Sequence, residues 1–254
     1  MLATWSLIKR EFAAYFLSPI AYAMMAFFLW IVGGLFYLTF QLLTKPGTAG
    51  VEYPMQAILG NPAFWLVFLL VPPLLTMRLL AEERGTGSLE LLMTAPIRDW
   101  QVVAGKYIAC YLFYIVLWLP TLLYLPILLD FDWTNKVARI DPWPVVTSYL
   151  GVMLAGAMFL AIGLFVSSLV KNQLVAAILA LVISLVFILA AFVKVDAAPD
   201  SLTAKVIQFI SVPEHFRRDF TRGVIDTRHL VLYVSMTAFA LFLTVRSLEA
   251  RRLR

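Results

Sequence analysis

Apolar runs of about 18 residues or more recur along this chain, and that is the length a helix needs to cross the hydrocarbon of a bilayer. Backbone amides in lipid find partners only inside a helix or a closed barrel. The runs are continuous in Leu, Ile, Val, Phe and Ala and lack the alternation of a barrel strand, so the chain reads as all-α and integral to a membrane. A mean hydropathy of +0.89 with 14% charged residues agrees. One domain, 1–254, accounts for the whole pattern.

Punctuation places six transmembrane helices. Residues 1–17 set Trp5, Ile8, Phe12 and Tyr15 at helical spacing with Lys9, Arg10 and Glu11 on another face, the pattern of a helix lying in the interface. Ser18 then reads as an N-cap and Pro19 as the first helical position of a span over 19–43. That apolar run is too long for the core of a cleaved leader, so it stays in the mature protein. Asn61-Pro62 repeats the device for a span over 62–80, which Pro72-Pro73 should kink. A third covers 102–129, with Pro120 and Pro126 inside it, and a fourth covers 144–170 behind Asp141-Pro142-Trp143-Pro144. A fifth, 174–193, follows the turn Lys171-Asn172-Gln173, and a sixth, 228–245, follows Asp226-Thr227.

Orientation rests on lysine and arginine. With both termini cytoplasmic, eleven of the twenty fall on inner segments and nine on outer ones. Six of the nine belong to one long loop, however, and over the short loops and tails the balance is 11 to 3. The chain therefore reads as multi-pass in a cytoplasmic membrane with both ends inside. Its basic tail, Arg246 to Arg254, reads as an anchor beside anionic lipid rather than as a nucleic-acid patch.

Motifs for chemistry are missing. A phosphate-binding loop needs Gly-x-x-x-x-Gly-Lys, and Gly105-Lys106 has Trp100 where the first glycine belongs, so the chain should bind no ATP itself. Asp130, Asp132, Arg139 and Asp141 lack the glycine and second aspartate pair of a phosphotransferase and read as a polar outer loop. His215 and His229 have no ligand spacing, so no metal site is expected and they read as ordinary interfacial residues. Cys110 lies in an apolar run and packs there. Ion-coupled carriers place carboxylates, histidines or lysines at depth, and none stands away from the ends of these spans. Energy must then come from a partner.

Two features bear on partners. Ala176, Ala180 and Ser184 recur every four residues in the fifth span, with Gly156 and Gly163 comparably placed in the fourth. Such stripes let two backbones approach, as a subunit seam or as ordinary packing within one bundle. The other feature is the charged island Glu82-Glu83-Arg84-Gly85-Thr86-Gly87-Ser88-Leu89-Glu90 between apolar segments. Ser88 to Met93 can form a short helix, Thr94-Ala95-Pro96 breaks it, and Ile97-Arg98-Asp99-Trp100 leads into the third span. This is either a rigid elbow that passes a push from a soluble partner into the bundle or an ordinary charged cytoplasmic loop.

Arg78-Leu79-Leu80-Ala81-Glu82-Glu83-Arg84-Gly85-Thr86-Gly87-Ser88-Leu89-Glu90-Leu91-Leu92-Met93-Thr94-Ala95-Pro96-Ile97, with Trp100-Gln101 and Gly105-Lys106-Tyr107, resembles the permease subunit of type-2 ABC exporters, nearest the gliding-motility-associated branch. Lys9-Arg10-Glu11-Phe12 with Ser18-Pro19, Ala161-Ile162-Gly163-Leu164-Phe165 with Ser167-Ser168-Leu169, Asn172-Gln173, and Arg222-Gly223-Val224-Ile225-Asp226 extend the likeness over nearly the whole chain. The resemblance implies an interfacial elbow helix at Lys9, Arg10, Glu11 and Phe12, and a coupling helix within 81–101 that sits on a cytoplasmic ABC ATPase. It also implies outer re-entrant or interfacial helices within 197–227. Glu82, Glu83, Arg84, Arg98 and Asp99 would make the charged contact and Leu89, Leu91 and Leu92 would fill a groove on the motor, with Gly85, Thr86, Gly87, Glu90 and Pro96 in the same segment.

On this resemblance the chain is a non-catalytic subunit in a bacterial inner membrane. It binds no cofactor, while ATP and Mg belong to the partner. A second copy or a related permease completes it, with a membrane-anchored auxiliary subunit as an open addition, and scarce polar lining points to export of an amphipathic cargo. The rival classes are a structural anchor for a surface or motility machine and, behind it, a membrane-embedded enzyme.

Overall fold

Pro19 and Pro62 each open a long helix, because a proline at the first turn gives up an N–H that has no intrahelical partner. A computed structural model describes residues 2–44, 54–87, 98–124, 126, 142–192 and 202–252. It shows α1 (Leu2–Phe16), α2 (Pro19–Thr44), α3 (Pro54–Leu59), α4 (Pro62–Thr76), α5 (Ala81–Thr86), α6 (Asp99–Trp118), α7 (Trp143–Leu169), α8 (Gln173–Leu189), α9 (Leu202–Ile210), α10 (Val212–Arg218) and α11 (Thr227–Arg252). No strand occurs among the described residues. Among the described residues six helical stretches are long and apolar enough to cross a membrane. The protein is an all-α integral membrane protein.

Of the side chains expected to cap helices, Asn61 and Asp226 do so, whereas Ser18 Oγ accepts from Arg78 Nη1 at 2.7 Å; Asn172, expected as part of a turn, caps as well. Asn61 Oδ1 accepts from Ala63 N–H at 2.9 Å, Asn172 Oδ1 from Leu174 N–H at 2.8 Å, and Asp226 Oδ1 from Arg228 N–H at 2.8 Å. Helix extents differ where prolines act. The second span was expected to reach Leu80 with a kink at Pro72-Pro73; α4 passes through both prolines and stops at Thr76, leaving Met77 to Leu80 as a turn. The third begins at Asp99 rather than Val102, and at Pro120 it tightens into a 3-10 segment, Leu119–Leu123, since the proline cannot donate back to Val116. The expected continuation to 129 lies outside the described residues except for Tyr124 and Pro126. The sixth helix runs on to Arg252 instead of ending at Val245.

α7 is the axis of the bundle. It is apolar all round and buried along most of its length, with α11, α8, α4 and α6 around it. Its glycines make room for neighbours of the same chain. A Cβ at Gly156 would strike the Tyr114 ring and one at Gly163 the Thr76 hydroxyl. Of the two readings of Gly156 and Gly163, packing within one bundle is the one these contacts fit, because those faces are filled from within. Ala176, Ala180 and Ser184 are likewise buried, where α8 lies against α4 and α7. What α8 turns outward is a file of large side chains, Leu174, Ile178, Val182 and Val186.

The two ends of the bundle differ. At one, α3, α10 and the 3-10 turn Phe220–Arg222 gather over the start of α7. The Phe216 ring meets Trp65 edge-on at 4.9 Å, and Thr147 Oγ1 donates to the Phe220 carbonyl at 2.6 Å. The expected outer helices are thus of two kinds. α9 leaves Leu202, Val206 and Phe209 exposed, as an interfacial helix does, whereas Val212, His215, Phe216 and Phe220 are buried among the spans. Gly223, at φ 83°, makes the left-handed turn that ends this segment. The other end carries α1 and α5.

Candidate functional site

At the turn Met77 to Leu80 the chain leaves a helix that its prolines have already weakened. Thr76 Oγ1 donates to Pro72 C=O at 2.8 Å, and Met77 N–H reaches Pro73 C=O at 2.9 Å. The next donors have no helix behind them. Leu80 and Ala81 N–H instead reach Ser167 Oγ, on α7, at 3.2 and 3.0 Å, and the same hydroxyl donates to Met77 C=O at 3.3 Å. One serine thus patches the break and fixes where α5 starts.

Two further contacts press α5 onto the end of the bundle. Arg84 Nη1 donates to Ser168 C=O at 2.6 Å, a cation on the last turn of α7 where unpaired carbonyls concentrate negative charge. A Cβ at Gly85 would sit 2.9 Å from Lys171 C=O, so only glycine allows α5 this close to the turn between α7 and α8. Gly87 closes α5 in the left-handed region at φ 75°.

Beyond α5 the anchorage is ionic. Lys106, in the third turn of α6, has a side chain only 1% exposed, and its Nζ lies 2.7 Å from Glu83 Oε1 and 3.3 Å from Glu11 Oε1. Gly105 beside it admits α1, since an added Cβ would meet Leu7 at 2.9 Å. α1 lies along α6, with Leu7 and Ile8 buried and the Tyr15 ring stacked on Phe113 at 4.8 Å. Burial pushes the Tyr15 phenol well above its ordinary pKa, so it remains a donor to Leu75 C=O at 2.9 Å. A single lysine therefore links α5, α6 and α1.

The structure divides the residues singled out from the sequence. Glu83, Arg84 and Glu11 turn inward as struts. Glu82, Gly85, Thr86, Gly87 and Arg98 are exposed, with Arg98 N–H held by Gln101 Oε1 at 3.1 Å and Asp99 in the first turn of α6. Lys9 and Arg10 are exposed, and Phe12 is half-buried against Phe16. Trp5, expected on the apolar face of α1, is exposed, and Leu7 takes that place. Leu89, Glu90, Leu91, Leu92 and Pro96 lie outside the described residues.

Lys106 was missed as a site residue. An ammonium seven residues into an apolar helix demands a counter-charge, and the expectation of no ionisable group away from the span ends overlooked it. Ser167 and Ser168 had appeared only as part of a motif.

A second polar cluster sits at the opposite end. The His215 and His229 rings stack at 3.7 Å, with His215 Nδ1 2.9 Å from the Tyr233 hydroxyl and His229 Nε2 2.8 Å from Asp219 Oδ2. Both rings are buried, which corrects their reading as interfacial residues. Burial, with His229 alongside, pushes His215 down to about 4, so its ring is neutral at physiological pH.

Residues 51–212 match the family model described as "ABC-2 family transporter protein". That stretch runs from ahead of α3 to the start of α10 and contains the whole of α5 and its partners on α6 and α7. No curated protein matches the chain.

Proposed function

The chain belongs to the ABC-2 transporter family, the transmembrane subunits of ABC transporters, and on that premise we propose that α5 and the segment after it receive the stroke of a cytoplasmic ABC ATPase. The family implies an ABC ATPase partner in general. The observation that carries the reading is the anchorage of α5 on three sides: by Ser167 and Arg84 on α7, by Glu83 on Lys106 of α6, and through Lys106 to Glu11 of α1. A loop with no mechanical role gains nothing from such fixings. A lever does, since each strut converts movement of α5 into movement of a span.

In this reading exposed Glu82 and Arg98 face the motor, with Asp99 beside them and Leu89, Leu91 and Leu92 in its groove. Glu83 and Arg84 pass the load inward. Two copies, or one copy and a related permease, stand side by side with both termini cytoplasmic in a bacterial inner membrane. The exposed file of α8, rather than its small-residue stripe, is the surface available for pairing. ATP and Mg stay with the motor, and this subunit performs no chemistry of its own. The stroke opens a largely apolar path that favours export of an amphipathic cargo, and a membrane-anchored auxiliary subunit would fit the gliding-motility branch.

The test is co-purification with the ATPase encoded beside it, followed by reconstitution. Glu82→Lys should weaken recruitment of the motor, whereas Glu83→Gln should leave recruitment intact and lower transport per ATP. Unchanged recruitment and transport in both variants would sink the proposal, and a bundle that turns over no ATP with its motor would be an anchor.

A further inference from the structure

Between α1, α2, α4 and α5 the bundle encloses a cavity of about 390 Å³, one wall of which is the Lys106 junction. Its lining is graded along the bundle axis. Ile20 and Leu74 form the apolar side and are 51% and 38% exposed, so the cavity opens sideways onto the same surface that meets lipid. Next come Ser18 and Arg78, and beyond them, toward the polar face, Glu82.

The charges on this wall are unevenly matched. Arg78 Nη1 donates to Ser18 Oγ at 2.7 Å, but its Nε is buried without a partner and the guanidinium joins no ion pair with a described residue. A half-buried cation held only by a neutral hydroxyl is a group waiting for an anion. Three carboxylates line the same space. Lys106 holds Glu11 and Glu83, while Glu82 makes no ion pair with a described residue. One cation and one acid are thus left over, stacked in that order from the membrane outward.

We infer that this cavity binds one phospholipid whose headgroup carries a protonated amine, with its phosphate on Arg78 and Ser18 and its ammonium on Glu82. The volume takes headgroup and glycerol, and the acyl chains leave over Ile20 and Leu74 into the surrounding lipid. A purely anionic headgroup is disfavoured, because it would set its charge against Glu82 with no ammonium to answer it. A choline headgroup matches the charge but offers Glu82 no N–H. The bound lipid wedges the first two spans against α1 and α5. In the chain without its motor Glu82 is given to the lipid, and the motor contact proposed above competes for that carboxylate; lipid binding by the chain alone stands whether or not the chain passes a motor's stroke.

The full-length chain, purified in mild detergent, would be titrated with phosphatidylethanolamine, phosphatidylglycerol or phosphatidylcholine and read by native mass spectrometry. A single tightly held phosphatidylethanolamine is expected, in preference to the other two. Arg78→Met should lower its affinity about 10- to 100-fold, the loss expected for charge-assisted hydrogen bonds. Glu82→Gln should keep a bound lipid but abolish the preference for the amine. Ala14→Trp, at an exposed position lining the cavity, blocks the site while leaving Arg78 and Ser18 untouched, and should also displace the lipid if Arg78→Met does not fold. Equal retention of the three lipids by the natural sequence would overturn the inference, as would unchanged phosphatidylethanolamine binding in Ala14→Trp.

Discussion

Neutralising the Lys106 junction in steps separates its contribution to stability from its mechanical role. Lys106 is 1% exposed between Glu83 and Glu11, whose side chains are 20% and 15% exposed. Glu83→Gln keeps an acceptor at 2.7 Å but removes the charge, a loss of about 2 kcal/mol for a charged hydrogen bond. Glu11→Gln, at the longer 3.3 Å contact, should cost about 1 kcal/mol. Lys106→Met leaves two carboxylates facing each other. Since both side chains remain partly exposed, the cost is about 2–4 kcal/mol, below that of a fully buried orphan. Combining Lys106→Met with Glu83→Gln then adds little, for a coupling energy of about 2 kcal/mol. The triple variant, Lys106→Met with Glu83→Gln and Glu11→Gln, leaves no buried charge at the junction, only the exposed Arg10 parted from Glu11, and should return to within about 1 kcal/mol of the natural sequence, as buried ion networks replaced by neutral groups do. Unfolding midpoints in detergent read these terms at about 2–4 °C per kcal/mol for a chain of this size. The decisive assay is reconstituted transport, where the triple variant should regain stability yet transport less per ATP. Additive single effects, with a coupling below about 0.5 kcal/mol, would refute the junction as one unit. Full transport in the triple variant would refute its mechanical role.

Other consequences follow from the packing and from His215. Gly156→Ala and Gly163→Ala would drive a Cβ into Tyr114 and Thr76, and should destabilise the fold by about 1–3 kcal/mol or more, seen as a lowered midpoint in detergent. Ser167→Ala strips the acceptor shared by Leu80 and Ala81 N–H, costing about 1–3 kcal/mol, with faster hydrogen exchange localised to those two amides. His215, beside His229, Tyr233, Glu214 and Asp219, titrates at about 4 in the folded chain against about 6.5 unfolded. The unfolded state binds the proton first, so stability is full above pH 6.5 and falls by about 3 kcal/mol as pH drops to about 4. A His215→Gln variant should flatten that part of the pH curve. If α8 pairs through its outward file, cysteines at Ile178 or Val186 should cross-link between copies in membranes, while one at Ala180 should not.

The number of apolar spans and the capped starts of the second and sixth were legible in the sequence because lipid leaves a helix little choice. A backbone in hydrocarbon must close its own hydrogen bonds, and the caps Asn61, Asn172 and Asp226 act locally. The roles of individual polar residues were not legible. Ala176, Ala180, Ser184, Gly156 and Gly163 make a stripe that serves an inner or an outer face equally well, and only the packing shows those faces already filled. Lys106 stands in the Gly105-Lys106-Tyr107 stretch of the resemblance, but nothing there names its counter-charges. Its partners come from helices 95 and 23 positions away in sequence, a juxtaposition that no periodicity encodes.

The amino-acid sequence by itself thus determined a membrane protein of six apolar spans with a charged stretch between the second and third, since apolar length and chain-local capping are properties of single segments. Which charges on that stretch face out and which are struts was decided only by the tertiary structure. The break after Pro72-Pro73 frees two amides, and whether they meet a serine of α7 or water depends on how whole helices lie against one another. The same holds for the buried ammonium, whose energy is set by carboxylates delivered from two other helices.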